Sequence, residues 1–156
     1  MKTINKIYLA ACLVLMISSC SLKEEPYGFL NSSQFYKTSS DVYSALGYCY
    51  DVLGNTELYS RMMTMVCSIG TEEFTVKPDA GADNHEIDEW NVTSTNPLVE
   101  AVFGNCFVGI NRANILLDHI DPVVMDEATK NEYKGEALFL RALHYFNLVR
   151  LFGQVP

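Results

Sequence analysis

The chain has 156 residues, of which 49% are hydrophobic and 19% charged, and its 19 acidic and 11 basic side chains give a formal net charge of −8. This apolar content is too high for global disorder, so we expect a packed core. The acidic balance and the scattered lysines and arginines argue against nucleic acid as a partner, because a nucleic-acid-binding surface needs a clustered basic face.

Residues 1–19 are predicted to be a secretory signal. Lys2 and Lys6 precede an uncharged, mostly apolar run from Ile7 to Ile17, and this order is typical of an export signal. A transmembrane helix needs about 20 apolar residues, and the charge of Lys23 follows too soon for that length. We therefore interpret the segment as a signal and not as a membrane span.

The end of this signal resembles a bacterial lipobox. Residues 17–20 are isoleucine, serine, serine and cysteine, and in proteins with this motif the cysteine is acylated and becomes the mature N-terminus. Stable anchoring needs at least two acyl chains. We predict lipidation at Cys20. The alternative is ordinary signal cleavage nearby, with Cys20 left as a free thiol.

Residues 20–38 are predicted to be a lipidated N-terminal linker. The segment Ser21–Glu25 resembles the acidic export tag of surface lipoproteins of the Bacteroidetes, and a solvated charged linker is the alternative. Without residues 1–19 the chain keeps all 19 acidic side chains and loses only Lys2 and Lys6 from the basic ones, so its net charge becomes −10. The mature protein is therefore even less suited to a polyanionic partner.

Residues 39–53 are predicted to form a helix. Apolar side chains recur there at intervals of three and four residues, which is the helical spacing. Ser40 or Asp41 can cap its start, and Gly54 follows its end.

The regular spacing is lost between Gly54 and Asn96. Residues 58–66 can form one short helix, whereas residues 70–89 are predicted to be irregular and acidic. A loop of this length in a compact domain is usually functional or contains elements that the residue pattern does not reveal.

Trp90 and Asn91 in this loop are the candidate ligand-binding residues. Trp90 is the single tryptophan of the chain and is followed by Asn91 and Thr93. A flat aromatic side chain beside amide and hydroxyl groups suits a carbohydrate. The alternative is that Trp90 is the hydrophobic anchor of its own loop.

The acidic part of the loop does not fit an EF-hand. A twelve-residue calcium loop ending at Trp90 would have Asn84 in place of the required glycine and Trp90 in place of the final glutamate. A looser calcium site formed by Asp83, Glu86 and Asp88 is one reading, and a solvated acidic loop is the other. The three histidines are too far apart in the sequence to indicate zinc.

Catalysis is not predicted. The acidic pairs at 72–73 and 88–89 are sequence neighbours, whose side chains diverge, so they do not form the facing carboxyls of a glycosidase. No glycine-rich phosphate or dinucleotide motif is found. We predict neither an enzyme nor a bound cofactor or metal. Cys49 and Cys106 fall on apolar helical faces, which favours a role in the core.

Residues 97–120 and 126–152 are predicted to form a hairpin of two long helices. Asp126 is a suitable N-cap, and Gly153 a suitable C-cap, for the second. Its apolar residues cover more than half of the circumference, which indicates burial on several sides. Hairpins of this kind stack in helical-repeat proteins. We expect an all-α fold of TPR-like helical-repeat hairpins with long irregular loops, of which this chain is an N-terminal part.

Two motifs in this hairpin resemble the SusD/RagB family. Residues 109–117 are similar to the family's G-I-n-R-A-N-x-(I/L)-L helix, and residues 136–156 to its signature E-A-x-F-L-R-A-x-x-Y-F-x-L-V-R-x-F-G-x-V-P. Phe103 and Phe107 stand where the family often has tryptophan and tyrosine. From the residues themselves we expect structural roles, with Arg141 and Asn114 satisfying polar groups between the two helices.

The resemblance implies a non-catalytic lipoprotein at the surface of the outer membrane. Such a protein captures glycans or peptides and passes them to a SusC-like, TonB-dependent transporter. It also implies that residues 39–156 are the N-terminal helical region of a larger fold. The alternative is a structural or adhesin-type surface lipoprotein with helical repeats and no role in uptake.

Overall fold

The computed structural model describes residues 35–156. Five α-helices follow one another in this range: α1 (Ser39–Asp51), α2 (Met62–Ser68), α3 (Ala82–Asp88), α4 (Pro97–His119) and α5 (Glu127–Phe152), with a 3-10 turn (Val52–Gly54) directly after α1. The all-α prediction is confirmed for this part of the chain. The predicted signal, Cys20 and most of the predicted linker lie outside the described residues. No helix between residues 35 and 156 combines the length and apolarity that crossing a membrane requires.

The start of α1 differs from the prediction. Thr38 is the N-cap: its hydroxyl accepts a hydrogen bond from the Asp41 N–H, and the Asp41 carboxylate accepts one from the Thr38 N–H at 2.8 Å. The expected cap at Ser40 or Asp41 is wrong because Asp41 acts from the third helical position, as the partner in a capping box. The Thr38 hydroxyl also donates to the Asp41 carboxylate at 2.8 Å, and this hydrogen bond, followed by the one from the Thr38 N–H, lowers the pKa of Asp41.

The predicted hairpin is confirmed in α4 and α5. Asn96 caps α4 by accepting from the N–H groups of its first turn, and Asp126 caps α5 by accepting from the Thr129 N–H at 2.9 Å. Gly153 ends α5 at φ 75°, a conformation that glycine adopts without steric cost. Local capping chemistry therefore sets the start of both helices and the end of α5.

Two apolar clusters hold the helices together. The first lies where α1 meets the C-terminal half of α4 and the N-terminal half of α5, and the second lies between α2, the 3-10 turn and the other ends of the hairpin. Cys49 belongs to the first cluster and Cys106 to the second, as predicted. Burial raises the pKa of both thiols to about 11, so they stay protonated and pack as small hydrophobic side chains. Cys67 is exposed.

Residues of the two motifs attach α1 to the hairpin. Arg112 donates from Nη1 to the Tyr48 carbonyl at 2.7 Å and to the Asp51 carboxylate at 3.1 Å, and its guanidinium carbon lies 3.3 Å from the centre of the Tyr48 ring. The Tyr50 hydroxyl donates to Glu136 at 2.7 Å. The motifs therefore have structural roles in this region.

Arg141 and Asn114 join the two helices of the hairpin to each other. Nη1 of Arg141 donates to Oδ1 of Asn114 at 2.9 Å, in a partly buried position. The expectation that these side chains satisfy polar groups between the helices is confirmed.

The segment between α1 and α4 is more regular than predicted. The short helix expected at residues 58–66 is found at Met62–Ser68, and residues 82–88, which were expected to be irregular, form α3. The only buried side chain of α3 is Ile87, so the sequence has no apolar stripe there to indicate a helix. The helix is attached instead by buried Asn96, whose Nδ2 donates to the Asp83 carbonyl and the Glu86 carboxylate, both at 2.9 Å.

Candidate ligand-binding site around Trp90

Trp90 occupies the position after α3 where a helix usually has glycine. The Trp90 N–H donates to the Ile87 carbonyl at 3.2 Å, and the Asn91 N–H donates to the Glu86 carbonyl at 2.9 Å. These two hydrogen bonds form a Schellman motif, which requires a left-handed backbone at its central residue. Trp90 has φ 56° and is the one non-glycine residue with positive φ in the described range.

This backbone conformation is costly for a tryptophan. A left-handed conformation costs a residue with a Cβ atom about 1–2 kcal/mol, and glycine would avoid that cost. Strained residues of this kind concentrate at ligand-binding and switch sites. The strain thus marks Trp90 as a candidate for function.

The indole ring of Trp90 is tethered at one edge and otherwise free. Its Nε1–H donates to the Gly70 carbonyl at 2.9 Å, while 81% of the residue is exposed. A side chain this exposed buries too little area to act as the hydrophobic anchor of its loop. The ring is instead held in one orientation with most of its surface accessible.

Gly70 makes this arrangement possible. It has φ 78°, and a Cβ at this position would lie 2.8 Å from the Ile87 carbonyl oxygen and 3.2 Å from Trp90 Nε1. Both the left-handed backbone and the close approach to the end of α3 therefore require glycine.

Hydrogen bonds to Asp88 hold the loop that contains Gly70 in place. Its carboxylate accepts hydrogen bonds from the Gly70 N–H at 3.2 Å, the Thr75 hydroxyl at 2.8 Å and the Val76 N–H at 3.4 Å. The carboxylates of Asp88 and Glu86 both accept hydrogen bonds from other residues of the protein. Across residues 35–156, no group of three or more His, Cys, Asp or Glu side chains is arranged to hold a metal ion.

Trp90 lines a cavity of about 650 Å³ between α2, α3 and the ends of the hairpin. Most of the other side chains that line it are apolar, namely Val66, Ile69, Ile87, Val92, Val99, Phe103, Leu151 and Phe152, and the polar ones are Thr93, Ser94 and Glu100. The rings of Phe103 and Phe152 meet edge to face with 5.0 Å between their centres. An apolar surface with a few polar groups is typical of a small-molecule site.

The other sequence candidate, Asn91, lies beside this cavity and does not line it. Its backbone N–H belongs to the helix cap, and the residue is exposed. The structure thus brings Trp90 together with Phe103 and Phe152 from the two motif-bearing helices, and these were not among the predicted ligand-binding residues.

Comparison with known proteins places the chain in a family. Residues 30–156 match the family model SusD-like_3, which is described as starch-binding and associating with the outer membrane. The chain belongs to this SusD-like family, and the resemblance seen in the two motifs is confirmed.

Three curated relatives come from Formosa agariphila. SusD-like protein P2 is 26% identical over 97% of this chain and 30% of its own length. SusD-like protein P25 is 26% identical over 98% of the chain and 31% of its own length, and SusD-like protein P38 is 26% identical over 99% and 30%. The chain thus spans about a third of the length of the relatives it matches. No solved structure gave a significant match.

Proposed function

We propose that the protein to which this chain belongs captures glycans, or other nutrient oligomers such as peptides, at the cell surface and passes them to a SusC-like, TonB-dependent transporter in the outer membrane. The family description, starch-binding and associated with the outer membrane, supports capture of glycans. The observation that carries the proposal for this region is the exposed, tethered ring of Trp90.

The geometry suits a sugar ring. The apolar C–H face of a pyranose can pack on the indole of Trp90, while Thr93, Ser94 and Glu100 on the cavity wall offer hydroxyl and carboxylate groups to its hydroxyls. Because the hydrogen bond to Gly70 already orients the ring, little side-chain freedom is lost on binding. Binding here requires neither a catalytic residue nor a metal.

Replacement of Trp90 in the full-length protein tests this role. We expect Trp90→Gly to weaken binding of a glycan identified on an array by about thirtyfold or more, the usual effect of removing an aromatic hot spot. Glycine is favoured by the left-handed backbone, so the melting temperature should change little. Tyr43→Ala is the matched control, because Tyr43 is 65% exposed on α1 and does not line the cavity. Equal glycan affinity of the Trp90→Gly and wild-type proteins would show that Trp90 does not contribute to glycan binding.

Lipid anchoring has its own test. Replacing Cys20 by alanine should abolish labelling with radioactive palmitate and release the protein from the membrane fraction or trap it as precursor, because the lipobox-like sequence at residues 17–20 offers no other thiol. Label that persists in the Cys20→Ala protein would contradict the proposal.

Delivery to a transporter is tested by co-purification from outer membranes. We expect a large TonB-dependent receptor to accompany the tagged full-length protein. A protein that binds neither glycans nor peptides and has no such companion would fit the alternative, a structural or adhesin-type surface lipoprotein.

A further inference from the structure

A second cavity adjoins the one at Trp90. It encloses about 510 Å³ between α2 and the loop that leads to α3, and Ile69 lines both cavities. Its wall differs in chemistry from that of the first, because it includes Arg61 and Lys77, the hydroxyl residues Thr64 and Ser68, and the exposed ring of Phe74.

Neither Arg61 nor Lys77 forms an ion pair with the described residues. The ion pairs among residues 35–156 use Arg112, Lys130 and Lys134, and no carboxylate of that range lies within ion-pair distance of Arg61 or Lys77. Asp79 is the single acidic residue on the wall. The cavity therefore has a local positive charge in a chain whose net charge is −8.

Asn84 adds a polar side chain with an unused acceptor to the same wall. It lines the same cavity, and its Oδ1 is buried without a hydrogen-bond partner among the described residues. Leaving a buried acceptor unsatisfied costs about 1–3 kcal/mol. This oxygen is closed off from solvent, so the Asn84 side chain has to rotate before a donor on a bound molecule, such as a sugar hydroxyl, can recover that cost.

We propose that this second cavity binds an anionic substituent, a carboxylate or a sulfate, of an oligosaccharide whose neighbouring ring lies on Trp90. Arg61 and Lys77 hold the anion, Asn84 accepts a hydrogen bond from an adjacent hydroxyl, and Phe74 packs against the sugar face. The shared residue Ile69 lets one oligomer span both cavities. This inference rests on the proposed glycan capture and adds the substrate class.

The test uses the full-length protein on an array of matched pairs. Uronate oligosaccharides are compared with their methyl esters, and sulfated galactan oligosaccharides with their desulfated forms, so the two sources of negative charge are distinguished. We expect the charged member of at least one pair to bind at least about tenfold more tightly than its neutral partner, a preference typical of charge-assisted hydrogen bonds, and to weaken as salt is raised.

Two variants test whether this second cavity causes the preference for charged oligosaccharides. The Arg61→Gln/Lys77→Gln protein should bind the charged and neutral members equally, whereas Lys37→Gln, which removes an exposed positive charge outside this cavity, should keep the wild-type preference. Melting temperatures show that each variant is folded. A wild-type protein that binds only neutral glycans would overturn this inference and leave the proposed function standing. Binding of no glycan would overturn both the inference and glycan capture as the proposed function. A preference unchanged in the double variant would overturn the inference alone.

Discussion

Gly109 of α4 lies directly against the imidazole of His144 of α5. A Cβ atom at residue 109 would be 2.1 Å from His144 Nε2, and both residues are buried. The two long helices approach closely here because one side of the contact has no side chain. His144 stands at a variable position of the signature motif, so this pairing was not apparent from the motif.

A methyl group at Gly109 should therefore separate the helices. We expect Gly109→Ala to lower the free energy of unfolding by about 1–3 kcal/mol, the usual cost of overpacking. Gly104→Ala is the control in the same helix, since its Cβ would meet no atom within 4 Å, and it should stabilise the protein by about 0.5–1 kcal/mol. Urea unfolding of both variants measures the difference. Similar effects of the two substitutions would contradict the close contact.

The same histidine should make stability depend on pH. His144 is fully buried, neither ring nitrogen has a hydrogen-bond partner among the described residues, and burial lowers its pKa below the ordinary 6.5. Below that pH the unfolded chain binds a proton that the folded protein excludes, so the free energy of unfolding should fall as the pH falls, by at most about 1.4 kcal/mol per pH unit. Above it, this contribution is constant.

Unfolding of a His144→Leu protein across the same pH range isolates the contribution. Its free energy of unfolding should vary less between about pH 6.5 and 5 than that of the wild-type protein. The carboxylates Asp41, Asp121 and Asp126, whose pKa values are lowered by hydrogen bonds, lose their contributions at lower pH. Parallel profiles of the two proteins would show that His144 is not the titrating group.

Loss of the Asp88 carboxylate should release the loop that orients Trp90. In Asp88→Ala, the Gly70 and Val76 amides lose their acceptor, so their hydrogen exchange should accelerate. We expect destabilisation of about 1–2 kcal/mol. We also expect a lower fluorescence anisotropy of Trp90, the single tryptophan of residues 1–156, recorded in a full-length protein from which tryptophans outside that range have been replaced. Glu89→Ala, a neighbouring exposed acid, is the control. Unchanged anisotropy in Asp88→Ala would mean that the loop does not orient the ring.

Residues 20–156 should self-associate when they are produced alone, because the outer face of α5 is apolar and exposed. Leu138, Phe139, Phe146 and Val149 are between 45% and 64% exposed, and contiguous apolar patches of this kind usually mark an interaction surface. We expect the fragment to bind a hydrophobic dye and to self-associate, and Phe139→Ser/Phe146→Ser to reduce both. A monomeric fragment that melts cooperatively without binding dye would instead indicate a complete domain.

The long helices could be predicted because their signals are local. Apolar spacing over more than 20 residues defines α4 and α5, and Asp126 and Gly153 mark the ends of α5 through hydrogen bonds and backbone angles within a few residues. The family motifs lie in the same hairpin. An interhelical polar role for Arg141 and Asn114 could be predicted because a partly buried arginine needs a partner, whereas their bond to each other is known only from the structure.

The ligand site depends on contacts between distant residues, and these have no local signal. Helix α3 is held by Asn96 and by a single buried apolar side chain, so its polar sequence looked irregular. Trp90 stood out by residue type, but its orientation depends on Gly70, 20 positions earlier in the chain. The closeness of Phe103 and Phe152 to that ring follows from the antiparallel packing of α4 and α5, which brings the start of one helix to the end of the other. Sequence periodicity indicates which faces of the helices are apolar, whereas packing determines which side chains meet at the cavity.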